Sequence, residues 1–187
     1  MKAMARDGML LAALAGAGYA VAGNPPVNAD SAIIQDFEKR LADYVQLRKS
    51  AEAALPPLKA TASPAKITHH QNELARAMRR ARGNAKQGDI FTPPAEMEIR
   101  RLLRIAMQPA DAPKVRQSLR AAEPVQLHLK VGDEYPGHVP LQSTPPTLLE
   151  NLPKLPPEIE YRITGRDLVL LDTKANLILD IISGAFS

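Results

Sequence analysis

The stretch EYRITGRDLVLLDTKANLILDII, residues 160–182, decides the fold. Gly165-Arg166 predicts a two-residue turn with glycine first, the arrangement of a type II′ hairpin. That turn sets Tyr161 opposite Leu170 and Ile163 opposite Leu168, four residues on one face. A four-residue turn over 173–176 then sets Leu170 opposite Leu179 and Leu168 opposite Ile181, so a third strand adds to the same face. Period and turn length agree on a three-stranded antiparallel meander over 160–182. In this register the other face carries Arg162, Thr164, Asp167, Val169, Leu171, Ile178, Asp180 and Ile182. Half of those are apolar, so a cover is expected: a helix, the C-terminal tail or another protein. Val169, Leu171, Ile178 and Ile182 are therefore candidate partner-binding residues.

Working towards the N-terminus, VQLHLKV alternates apolar and polar residues and predicts a half-buried strand near 125–131. The proline-rich residues 132–157 between it and the meander predict an ordered surface loop. Helical spacing dominates earlier. Ile34, Phe37, Leu41, Tyr44, Ala51 and Leu55 recur every three or four positions, interrupted by Arg48, with Asp30 or Ser31 as cap and Pro56-Pro57 as stop. The linker PPLKATASP leads to a second helix, capped by Ser63 with Pro64 at its first position. Its stripe is Ile67, His70, Leu74, Ala77 and Ala81, and Gly83-Asn84 ends it. Two helices on a short linker predict an αα-hairpin over 31–82. A third helix follows Thr92-Pro93-Pro94, carries Met97, Leu102, Leu103 and Ala106 and stops at Pro109, with a further short helix over 114–121. The fold class is thus α+β: the helical hairpin beside an α+β domain over 89–187, with a small antiparallel sheet and accessory helices.

The first 22 residues carry Lys2 and Arg6, an apolar run from Gly8 to Ala22 and the triplet Ala20-Val21-Ala22. They predict a signal peptide over 1–22, with an uncleaved anchor as the alternative. The run is short for a bilayer-spanning helix, and no later segment is long and apolar, so no transmembrane span is expected after cleavage. The expected location is the periplasm or the medium. There is no cysteine, which excludes a lipobox, disulfides and thiolate chemistry. Net charge is +4, concentrated in RAMRRARGNAK over 76–86. Cations at a helix C-terminus meet the dipole favourably, and no aromatic is interleaved to stack bases, so nucleic acid is not an expected partner. Contact with anionic lipid head groups stays open.

Four histidines are available. His69 and Glu73 lie four apart on the second helix, a spacing that sets two ligands on one face, and His70 is adjacent; this is the candidate metal site. Asp133, Glu134 and His138 offer further donors within one loop. No G-x-S-x-G and no glycine-rich phosphate loop occurs, so no catalytic residue and no cofactor are assigned.

The segments QGDIF, YPGHVPLQSTPPTLLENLPKLPPEIEYR, GRDLVLL and ANLILDII together resemble a family of exported bacterial proteins of uncharacterised activity. More distantly, YRITGRDLVLLDTKANLILDII resembles the end of periplasmic nickel and cobalt homeostasis proteins of the RcnB type. The first resemblance implies export. The second implies the hairpin topology and metal binding, without assigning ligands. The expected function is a non-catalytic binding or assembly module of the cell envelope, its partner an envelope protein or a second copy. Divalent-metal handling is the alternative.

Overall fold

A computed structural model describes residues 29–107, 128–137 and 146–186. The expected signal peptide over 1–22, the short helix over 114–121, residues 125–127 of the expected strand and His138 lie outside the described residues. Within them the chain is α+β, as its periodicities predict. Helices α1 (Ala29–Ala53), α2 (Pro64–Arg82), α3 (Pro93–Ala106) and the short α4 (Pro146–Leu149) precede strands β1 (Ile159–Thr164), β2 (Asp167–Asp172) and β3 (Leu177–Ile182). The strands form one antiparallel sheet in the order β1-β2-β3.

On α1, Phe37, Leu41 and Tyr44 are buried at helical spacing, and the next residue of that stripe, Arg48, is buried with them. The helix ends ahead of Pro56-Pro57, which cannot continue it. Pro64 opens α2, where the sequence expects it, and Gly83 closes it with a positive φ of 38°. The buried line of α2 is Leu74, Ala75 and Met78, while Ile67, expected on the stripe, is 45% exposed. Near the end of this helix the Arg82 guanidinium lies 5.4 Å from the Tyr44 ring centre and donates to the Leu179 carbonyl. On α3 the buried line is Ala95, Ile99, Leu103 and Ala106. Met97, expected to face inward, is exposed, because two residues along a helix from Ala95 is about 200° around it.

The β1–β2 register agrees with the expectation, Tyr161 opposite Leu170 and Ile163 opposite Leu168. Gly165 has φ +60° in the turn and Arg166 is not among the positive-φ residues, as a turn with glycine first requires. The second pairing departs from it. Leu171 sits opposite Ile178 as expected, but a bulge between Leu170 and Leu171 moves the partners of Leu170 and Leu168 to Asp180 and Ile182. The consequence is a correction: Ile182 packs in the helix-side core with Leu168, and Ile181 takes its place on the outer face.

The remaining expected docking residues are also closed to a partner. Val169, Leu171 and Ile178 are buried in a cluster with Tyr135 and Ile181, against which Leu129 packs. The cover is therefore the chain itself. Residues 128–131 are not a strand; instead the backbone just beyond them bonds to β3, Gly132 N–H to the Ile178 carbonyl (2.8 Å) and Ile178 N–H to the Asp133 carbonyl (2.9 Å). A single bridge joins Glu134 to Leu177. The C-terminal Ala185 packs on the other side, in the main core. That core is continuous from the helical hairpin to the sheet, and Phe37 stacks on Phe91 with ring centres 5.7 Å apart.

Candidate functional site

Buried titratable groups are the first place to look for chemistry, and the sheet holds two fully buried aspartates. Asp172 accepts from the Tyr44 hydroxyl (2.6 Å), Arg48 Nη1 (3.0 Å) and the backbone N–H groups of Lys174 and Ala175 (2.9 and 3.1 Å). Arg48 Nη2 donates in turn to Glu158 (2.5 Å). Burial works against the Arg48 charge, but the Asp172 and Glu158 carboxylates more than offset this and hold its pKa above the ordinary value. Burial, then the adjacent Asp172 charge, raises the Tyr44 pKa as well, so the phenol stays protonated and donating. Asp180 accepts four backbone N–H bonds, from Gly88 (2.9 Å), Ile90, Phe91 and Ile181 (2.8 Å each). Neither carboxylate lines the clefts described below. They fasten α1 and the segment before α3 to the sheet.

The accessible concave surface lies at the linker between α1 and α2. The chain must reverse there within a stretch containing Pro56 and Pro57, which have no N–H to donate to a turn. Two adjoining clefts result. One, of about 630 Å³, is lined by the linker from Leu55 to Thr61 and by Ala65, Lys66, His69, His70 and Glu73 of α2. The other, of about 870 Å³, lies between Lys49, Glu52 and Ala53 of α1, Ile67 and Gln71 of α2 and the β2–β3 turn at Thr173-Lys174. Leu55, Pro57, Leu58 and His70 belong to both, so the clefts form one continuous surface. Gln71 Nε2 donates to the Thr173 carbonyl (3.0 Å) and ties the helix to the turn.

The charges here are unevenly matched. Glu52 is paired with Lys174 (2.8 Å) and Glu73 with Arg76 (3.0 Å). Lys49, Lys59 and Lys66 are exposed and make no ion pair within the described residues. Leu58 and Ile67 present apolar surface beside them, 43% and 45% exposed.

His69, His70 and Glu73 all line the first cleft, His69 exposed and His70 half-buried. Among the described residues no group of three or more histidines, cysteines and carboxylates is gathered to hold a metal ion. In the loop after the expected strand, Glu134 pairs with Arg79 (3.0 Å), whose Nε also donates to the Gly132 carbonyl (2.7 Å). Arg79 and Arg82 thus hold the cover segment and β3, so much of the basic run over 76–86 supports structure. Sequence reasoning missed the linker cleft because prolines after a helix read only as a stop; the signal available was a linker carrying Leu58 and Lys59, followed by Lys66 in the first turn of the next helix.

No family model, curated protein or solved structure matches the chain. Among the described residues no helix is long and apolar enough to cross a membrane.

Proposed function

We propose that the chain is a non-catalytic binding or assembly module of the bacterial cell envelope, and that it binds through the cleft at the α1–α2 linker. The envelope assignment rests on the leader-like sequence over 1–22. The binding assignment rests on one observation: a continuous cleft with accessible Leu58 and Ile67 on its walls and lysines that have no acidic partner within the described residues. Titrating the full chain with acidic and basic peptides, glycans and amphiphiles tests it by calorimetry. At least one class should bind wild type and lose binding in Leu58→Glu, which should fold normally because an exposed substitution away from special features costs within about 0.5 kcal/mol. Binding by no class, or binding indifferent to Leu58→Glu, contradicts the reading.

Divalent-metal handling is the second reading, favoured by His69, His70 and Glu73 lining the same cleft. Nickel, cobalt, copper or zinc binding at micromolar affinity, lost in a His69→Ala/His70→Ala variant, would replace the first reading with this one.

A further inference from the structure

We infer that the linker cleft takes a single-chain anionic amphiphile, an acyl chain ending in a carboxylate or a phosphate; the inference rests on the binding reading above. Three features converge on this class. The walls contributed by Leu55, Leu58, Ile67 and Pro57 are apolar and suit a chain that asks for no hydrogen bonds along its length. The charge left uncompensated is positive, since Glu52 and Glu73 are engaged by Lys174 and Arg76, whereas Lys49, Lys59 and Lys66 make no ion pair within the described residues. The clefts, of about 630 and 870 Å³, are of the size of small-molecule sites and are concave, which a flat bilayer surface would not fill.

The positive end of α2 adds to the same sign. Its first turn holds no acidic residue, Ser63 makes no side-chain cap bond, and Ala65 and Lys66 of that turn line the cleft. Lysine rather than arginine at the rim favours a head group held as a charge, without a fixed bidentate geometry. An acidic peptide fits less well. An extended peptide needs partners for its backbone groups along its length, and at Pro56 and Pro57 the linker has no N–H to offer.

The experiment titrates the full chain, below micellar concentrations, with sodium decanoate, decyl phosphate and uncharged decanol, in wild type and in Lys59→Gln/Lys66→Gln, with circular dichroism confirming that the variant is folded. Decanoate or decyl phosphate should bind wild type about tenfold or more tightly than decanol, and the double variant should remove most of that preference, the scale expected of two exposed ion pairs. Which of the two anions binds better identifies the head group. Equal affinity for decanol and the anions, a preference unchanged in the variant, or no amphiphile binding overturns the inference. If amphiphiles fail while another class binds in a Leu58-dependent manner, the ligand class falls and the binding reading stands; if no class binds, both fall.

Discussion

Asp180 is fully buried, and its two oxygens accept from the backbone of Gly88, Ile90, Phe91 and Ile181. Four donors aimed at one carboxylate compensate its desolvation, because hydrogen bonds to the charged form are the strong ones and an unmade one is costly. Asp180→Asn keeps the volume but turns an amide NH₂ towards N–H donors. The expected outcome is a loss of about 1–3 kcal/mol or more in denaturant unfolding, since at least one buried donor is left unpaired; an unchanged midpoint would remove Asp180 from its fastening role. Nothing local in LILDII announces this role, because three of the four donors lie some ninety positions earlier in the chain. Arg48 is similar: along α1 it reads as a break in the apolar stripe, and only its partners Asp172 and Glu158 explain why it is buried.

At the scale of elements, periodicity carries further. The hairpin helices and α3 are legible because each has a buried face that helical spacing reports, and the meander because strand alternation agrees with its turn lengths. Gly165 is legible too. Its φ of +60° is a conformation that a β-branched residue adopts only under strain, so Gly165→Val should lower stability by about 1 kcal/mol or more in thermal or denaturant unfolding. No change would mean that the β1–β2 turn relaxes freely. What strand alternation cannot report is a bulge. One extra residue near Leu179 turns Asp180 inward and exchanges the faces of Ile181 and Ile182, so a register counted from the turn is right at Ile178 and wrong at Ile182. The contacts of Arg82 with Tyr44 and the Leu179 carbonyl are equally hidden, since neither partner is near it in the chain.

For the whole molecule, the architecture is a sheet covered on both faces and an accessible cleft at the linker of the helical hairpin. The apolar outer face, visible in the sequence, invites a partner only until its cover is known. That cover is Leu129, from the expected strand, and Tyr135, from a segment whose glycine and proline content reads as loop, held down by backbone bonds to β3 and by Arg79. The linker cleft went unread for a different reason: it is made by the space between elements, to which no residue's periodicity refers. The central claim, that the outer sheet face is core, is tested most directly by the unfolding midpoint of Val169→Glu measured beside Leu168→Glu. Both side chains are fully buried, so an unpaired charge at either should be comparably and severely destabilising, leaving both variants unfolded or nearly so. A Val169→Glu variant that folds with a near-native midpoint while Leu168→Glu unfolds would contradict the account and restore the outer face as a docking surface.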